Sequence, residues 1–438
     1  MNGASRLKIL ILGAGDLILM YVSLVATLVI RYRTGAYHEL VRYHLLPFSI
    51  LFVLWIVVFS FAGFYDLKNL KNSLAFKKGF SLLVLAILLT GILFFYAVPA
   101  FGVSPKTNLL LLIAIFGIDD YAWRHLYNIV LVTTMTPVDI TIIGAHRDID
   151  ALVDYIRSNP QLGYRIGQWV ESIDGSFADR LRHTDLLVIP DYIKRDRALI
   201  KIIYNTMFRG IDVMDVSAFY EEIFGKIPIS ELEESWLIEN VAAQHTLFDA
   251  GKRPVELVAA VIAVLALSPL FVALYAAIRL TSSGSAIYRQ ERVGRYEKRF
   301  VLYKFRTMVP DAEPAGPRWA QDDDRRVTAL GRLLRRTHLD ELPQMINVIK
   351  GDLSFVGPRP ERPAFVEQLK KRVPYYEVRH LVKPGITGWA QINYRYAASI
   401  HDTYEKLQYD IYYLKKRSLV FDVVILLKTI KTLFINPV

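Results

Sequence analysis

Long unbroken apolar runs dominate the first third of this chain and then give way to short alternating ones. Four such runs fall at about residues 7–30, 45–64, 80–99 and 109–131. The first three match the roughly 20 residues that a helix needs to cross a bilayer. The fourth is interrupted by Asp119, Asp120, Arg124 and His125, and charges at membrane depth are costly unless they face a bundle interior. A helix that leaves the bilayer near Gly117 is the other reading. The first run is too long for a signal-peptide core and has no small-x-small cleavage site, so it reads as a retained anchor. Residues 1–136 are expected to form a four-helix transmembrane bundle.

Residues 137–225 change register. Val138 to Gly144, Asp185 to Pro190 and Ile211 to Val216 are short strand-like runs, separated by helical patterns through Tyr155–Ile156 and near residues 198–208. Alternation of this kind predicts a small doubly wound α/β domain. It is a degenerate Rossmann-like one, because the first strand is followed by a single glycine, Gly144, rather than a G-x-G-x-x-G loop. A scaffolding or oligomerising role suits it better than cofactor binding.

Residues 226–251 are polar enough to read as a linker. After them, Val255 to Leu280 form a fifth apolar stretch with Ser268-Pro269 at its centre. A proline inside a helix kinks or breaks it, and a neighbouring serine satisfies freed backbone groups. A full crossing would place the α/β domain and the C-terminal domain on opposite sides of the bilayer. A helix that enters, breaks at Ser268-Pro269 and leaves on the same face avoids that separation. The segment from Leu419 to Phe434, with Lys428 and Lys431, suits an amphipathic helix at headgroup depth.

Composition sharpens this outline. Of 438 residues 53% are apolar, high for a soluble chain, and there is no cysteine, which excludes disulfides, thiolate metal sites and cysteine nucleophiles. Residues 281–438 hold 28 Lys+Arg against 17 Asp+Glu, so the whole net charge of +11 belongs there. Such a surplus suits anionic lipid or an anionic substrate; no nucleic-acid module is recognisable.

Within that basic part, Asp340-Glu341 stands between Arg332, Arg335 and Arg336 and an apolar run. Thr337 lies three residues before Asp340 as a capping pattern, Pro343 is tolerated in a first turn, and Gly351 follows the last periodic residue. The pair is thus expected at a helix N-terminus, where dipole and free N–H groups favour carboxylate and phosphate. An ordinary cap beside a solvated charge run is the plain alternative.

Around this pair lie Arg289-Gln-Glu-Arg-Val-Gly294, Lys304-Phe-Arg-Thr-Met308, Gly357-Pro-Arg-Pro360 and Pro384-Gly-Ile-Thr-Gly-Trp-Ala-Gln391. Together, and in this order after a Ser-Pro-broken helix, these motifs resemble the bacterial sugar transferase family, the polyprenyl-phosphate hexose-1-phosphate transferases or monotopic phosphoglycosyl transferases. The likeness to the catalytic part covers about residues 250–438, and the preceding domains look like those of the family's large members. The resemblance implies a re-entrant membrane helix with a mainly helical catalytic domain over residues 252–438. It also implies transfer of a sugar 1-phosphate from a UDP-sugar to undecaprenyl phosphate with release of UMP. The setting would be the cytoplasmic face of a bacterial inner membrane, at the first membrane step of exopolysaccharide, capsule or O-antigen synthesis.

By the same resemblance Asp340 is the nucleophile and Glu341 its partner in the dyad; both are candidate Mg²⁺ ligands, with assistance to the acceptor phosphate the other role open to Glu341. Lys304, Arg306, Arg335, Arg359 and Arg395 would contact phosphate, with Glu405 and Asp410 at recurrent polar positions. Chemistry agrees, since a carboxylate attacking phosphorus splits one displacement into two and arginine suits bidentate phosphate recognition. Trp389 would stack on uracil, sit at the interface or pack in the core. Asp322 to Arg326 reads as a solvated loop. Two other readings remain at this stage. A membrane-anchored nucleotide-sugar dehydratase or epimerase would use Tyr412 and Lys416, which have Tyr-x-x-x-Lys spacing but no glycine loop. A non-enzymatic polysaccharide assembly protein would leave the ordered motifs unexplained. The sugar is not legible, and the α/β domain offers a surface for a homodimer.

Overall fold

The computed structural model describes the chain apart from residues 1–2, 33–36, 67–70, 98–105, 135, 145–146, several positions between 172 and 207, 243–245, 310–325, 395–398 and 436–438. Its backbone divides into two compact units, Met1–Val216 and Ser217–Val438.

The first unit opens with four long helices, α1 (Gly3–Tyr32), α2 (Tyr37–Phe61), α3 (Leu74–Ala97) and α4 (Lys106–Thr134). Helix α1 packs on α2 and α4, and α3 on α2 and α4. Their shared core is rich in aromatic rings, among them Phe48, Phe52, Trp55, Phe59 and Phe116. Three segments, Leu7–Tyr32, Val41–Ser60 and Phe76–Tyr96, are long and apolar enough to cross a membrane. The interrupted fourth run is nevertheless one continuous helix. Its charges are tolerated because Arg124 is buried between Asp16 and Asp120, with the Asp120 carboxylate at 2.9 Å. Arg124 also donates to the Phe64 carbonyl at 3.1 Å, and Tyr65 donates to Asp16 at 2.7 Å. Buried charge paired in this way costs far less than a lone one.

After the helices comes a small parallel sheet of β1 (Val138–Ile143), β2 (Tyr164–Val170), β3 (Leu186–Ile189) and β4 (Asp212–Asp215), in the order β2-β1-β3-β4. Parallel neighbours require crossovers, and helix α5 (Arg147–Ser158) supplies the one from β1 to β2. Strand β2 was not anticipated. It is an edge strand whose alternate residues face solvent, and Gly167 sits where the β1–β2 register shifts, so it lacks the continuous apolar run that marks β3.

The second unit begins with α6, assigned to Val216–Phe224. The stretch read as a polar linker is folded into its core. Ile227, Ile229, Leu232 and Val241 are buried against Val356, Tyr376, Leu407 and Ile411. Next comes a bent helix pair, α7 (Thr246–Ala266) and α8 (Ser268–Thr281), turning by 62° at the break. Ser268 donates to the Leu265 carbonyl at 2.8 Å, and Pro269 opens α8, the use of the dipeptide that the sequence suggests. Val255, Val258, Ile262, Leu265 and Val272 remain exposed on this pair.

The hairpin β5 (Ile287–Val293) and β6 (Arg299–Phe305) follows, then α9 (Ala329–Arg336), α10 (Gln344–Lys350), β7 (Ser354–Val356), α11 (Pro363–Lys370), β8 (Gly385–Thr387), α12 (Trp389–Asn393), α13 (Ile400–Lys416) and α14 (Leu419–Ile435). His380 is buried in this unit and lies 3.7 Å from Glu297. Burial, with Arg379 beside it, pushes its pKa from 6.5 down to about 4. Between those values the unfolded chain holds more protons than the folded one, so stability falls as pH drops through that window, by up to ~3 kcal/mol. Thermal midpoints measured from pH 7 to pH 4 should show that decline, and His380→Gln should flatten it.

Candidate active site

Two leucines hold the acidic pair in place. In the run Leu339-Asp-Glu-Leu342, a 3₁₀ turn over Leu339–Glu341, Leu339 and Leu342 pack against the cluster of Phe305, Leu334 and Ile278. The chain enters this turn through His338 in the left-handed region, φ 55°. The expected Thr337 cap is therefore corrected. Thr337 is the C-cap of α9, and its hydroxyl donates back to the Leu333 carbonyl at 2.8 Å. The capping threonine is Thr328, which accepts from the Gly331 N–H at 2.9 Å. Helix α10 starts only after Pro343 and has no side-chain cap, although Gly351 closes it at φ 90° as anticipated. The carboxylates thus ride on a tight turn between two helices rather than on a capped helix start.

Strand β6 brings Lys304 to this turn, where its Nζ donates to Glu341 Oε1 at 2.6 Å. The same oxygen accepts from Arg359 Nη2 at 3.1 Å. Burial alone would raise the Glu341 pKa, but Lys304 and Arg359 overcome it and hold the carboxyl well below the usual range. Asp340 is buried and moves the other way, raised chiefly by burial against the pull of Lys304. Among the described residues no side chain forms an ion pair with Asp340. One carboxylate is held in ion pairs; its neighbour, among the described residues, is not.

Asn347 sets the register of this cluster. It is fully buried on α10; its Oδ1 accepts from the Tyr303 N–H at 3.1 Å and its Nδ2 donates to the Val301 carbonyl at 2.7 Å. The side chain thus behaves as a neighbouring strand would, pinning β6 to the helix that follows Glu341. An asparagine inside the apolar run of α10 was the available signal, since a buried amide needs partners. Asn347→Ala should cost about 2 kcal/mol through two unmet backbone groups and lower kcat/KM about tenfold as Lys304 loses register. Thermal melts paired with initial rates would check both.

Arg359 is presented by the Gly357–Pro360 loop at the end of β7. Strands β7 and β8 pair in parallel, Ser354 with Gly385 and Val356 with Thr387, and Gly385 N–H reaches the Pro358 carbonyl at 2.9 Å. Arg379 supports the loop from beneath, donating to the Arg359 carbonyl at 3.0 Å while paired with buried Asp410 at 2.9 Å.

Of the other anticipated residues, Arg335 lies close enough for its charge to act on Asp340, and the rest are engaged elsewhere or lie outside the described residues. Arg335 donates to Thr307 Oγ1 at 2.9 Å. Arg306 donates to the Ser282 carbonyl at 3.0 Å, bracing the turn after α8. Arg395 and residues 322–325 lie outside the described residues. Trp389 packs in the core, stacked on Tyr412 and donating to the Gly225 carbonyl at 2.7 Å. Glu405 pairs with Lys226 at 2.6 Å. Lys416 pairs with Glu221 at 2.8 Å, so Tyr412 and Lys416 are engaged with other groups.

Among the described residues no group of three or more His, Asp or Glu side chains converges as a closed metal cage. Asp340 and Glu341 are the residues that would hold a Mg²⁺, which is commonly bound by one or two carboxylates and completed by phosphate oxygens and water.

The bacterial sugar transferase family matches residues 247–436. A UDP-N-acetylgalactosamine-undecaprenyl-phosphate N-acetylgalactosaminephosphotransferase of Aeromonas hydrophila is 43% identical over 223 residues, 51% of this chain and 52% of the relative. A UDP-glucose:undecaprenyl-phosphate glucose-1-phosphate transferase of Escherichia coli (strain K12) is 41% identical over 189 residues, 42% of this chain and 40% of the relative. The chain thus spans about half the length of these two curated relatives. The uncharacterized sugar transferase EpsL of Bacillus subtilis (strain 168) is 39% identical over 185 residues, 42% of this chain but 88% of the relative. Because that relative is matched over nearly its whole length, and the family match spans residues 247–436 with Asp340 and Glu341 inside it, the chain belongs to the bacterial sugar transferase family.

Proposed function

We propose that this protein moves a sugar 1-phosphate from a UDP-sugar onto undecaprenyl phosphate, releasing UMP, through a covalent intermediate on Asp340. The observation that carries the reading is the contrast within the acidic pair: Glu341 is locked by Lys304 and Arg359, while Asp340 makes no such pair and remains available to attack. The names of the relatives, undecaprenyl-phosphate sugar phosphotransferases, support the substrates.

In the first step an Asp340 carboxylate oxygen bonds to the sugar-bearing phosphorus of the donor. The bond from that phosphorus to the UMP oxygen breaks, and UMP leaves with the electron pair. In the second step an oxygen of undecaprenyl phosphate attacks the same phosphorus, the acyl-phosphate bond breaks and the Asp340 carboxylate is regenerated. A bound Mg²⁺, held by Asp340 and Glu341, would neutralise pyrophosphate charge. Lys304 and Arg359 keep Glu341 ionised throughout, and Arg359, whose side chain is 44% exposed, can also meet phosphate.

The bent helix pair supports a re-entrant placement in the membrane. Near its start, Arg253 on α7 donates to the Val348 and Ile349 carbonyls at 2.5 and 2.7 Å, and Ile278 near the end of α8 packs on Phe305 and Leu334. Both ends return to one globular body, as a re-entrant hairpin requires and a crossing does not. On this reading the catalytic unit lies on the cytoplasmic face of the bacterial inner membrane, and the reaction opens the lipid-linked assembly of an exopolysaccharide, capsule or O-antigen. The test is UMP release from a panel of UDP-sugars, with undecaprenyl phosphate and Mg²⁺ present. Release with one donor supports the reading and names the sugar; silence with every donor from folded protein overturns it.

A further inference from the structure

A second feature of the catalytic unit lies beside the acidic turn. A cavity opens between the Gly357–Pro360 loop, the 3₁₀ turn Tyr376–Leu381 and helix α13, and Arg359 and Lys406 are both on its wall. The other charges there are matched. Arg379 is bound by Asp410 at 2.9 Å and by the Tyr376 hydroxyl at 2.7 Å, and Glu361 lies 3.6 Å from Arg292. Lys406 has no ion-pair partner among the described residues. Burial, and then Arg359 close by, push its ammonium below the ordinary lysine range against the weaker opposing pull of Glu361 and Asp410. Two crowded cations, one of them without an ion-pair partner among the described residues, describe a seat for an anion.

We infer that Arg359 and Lys406 form a single phosphomonoester seat, used first by the departing UMP phosphate and then by the incoming polyprenyl phosphate. The inference rests on the covalent reading above. An in-line displacement places entering and leaving oxygens on opposite sides of phosphorus. Asp340 enters in the first step and leaves in the second, so the oxygen that departs with UMP and the oxygen that arrives on the lipid occupy the same side. Both belong to phosphate monoesters, and Arg359 reaches from the Glu341 carboxylate beside Asp340 to the cavity wall. One seat therefore serves both half-reactions. Lys406 acts there as a substrate-binding residue that the sequence motifs did not single out.

The test uses the full chain in nanodiscs of zwitterionic lipid. Labelled UMP and a short-chain polyprenyl phosphate are each titrated against the native protein, Lys406→Ala and Lys406→Arg, with thermal midpoints recorded alongside. Loss of a charge-assisted bond should weaken both ligands about tenfold or more in Lys406→Ala, while Lys406→Arg should stay within about threefold of native binding. In steady state UMP should compete with the polyprenyl phosphate rather than with the donor. Unchanged UMP affinity in Lys406→Ala, or competition of UMP against the donor alone, would overturn the shared seat. Should the native protein release UMP from a donor while Lys406→Ala binds as native, only this inference fails. Should no donor release UMP, the transferase reading fails, and titration of inorganic phosphate into native and Lys406→Ala protein still decides whether the anion seat exists.

Discussion

Replacing Asp340 by asparagine is expected to stop transfer by a factor of roughly 10⁴ or more, the scale seen when a covalent nucleophile is removed. The amide keeps the shape of the side chain but has no anionic oxygen to attack phosphorus. Asp340 forms no ion pair among the described residues, so the Lys304–Glu341–Arg359 contacts and the thermal midpoint should persist. Glu341→Gln should behave differently. It leaves Lys304, 19% exposed at its side chain, without its counter-charge, so stability and rate should fall together. The decisive measurement omits the acceptor. Native protein given a sugar-labelled donor should release one UMP per chain and retain the label, whereas Asp340→Asn should do neither. Label retained on the asparagine variant would move the nucleophile elsewhere.

Gly385→Ala is expected to cost about 3 kcal/mol or more, enough to leave little folded catalytic unit. An added Cβ would overlap the Gly357 nitrogen and the Thr387 carbonyl oxygen, both backbone atoms of the β7–β8 junction. Backbone cannot swing aside as a flexible side chain can, so the strands would have to part, and Arg359 two residues beyond Gly357 would move with them. Gly251 is the control. It lies on α7 with nothing within 4 Å of an added Cβ, so Gly251→Ala should be neutral or stabilise by up to ~1 kcal/mol. Thermal midpoints of the two variants should separate widely; equal midpoints would show that the junction yields.

The legible parts were those governed by local rules. Apolar run length located the membrane-length helices, and the fourth helix carried its charges because Arg124 is clamped between Asp16 and Asp120. The Ser268-Pro269 break and the Gly351 stop follow from backbone geometry within a few residues. Where local rules offered two answers, packing chose. Thr337 had cap spacing, yet its hydroxyl turned back to Leu333 because the chain reverses at His338. Residues 226–242 looked like a polar linker, yet every few positions an Ile, Leu or Val is buried. Trp389 was open between ligand, interface and core, and Tyr412 and Phe421 supplied the core.

By itself, then, the sequence specified where apolar helices run, where the bent one breaks, that positive charge gathers in the last third, and which adjacent carboxylates head the list of reactive groups. These are properties of composition and short-range spacing. Only the tertiary structure decided that Lys304 and Arg359, 37 and 18 residues from Glu341, bind the same carboxylate oxygen. It alone made Asn347 a surrogate strand edge and set Lys406 beside Arg359 with no ion pair among the described residues. Such pairings depend on how β6, α10, β7 and α13 stack, and the direction of a charge's pKa depends on burial and on neighbours brought from far along the chain.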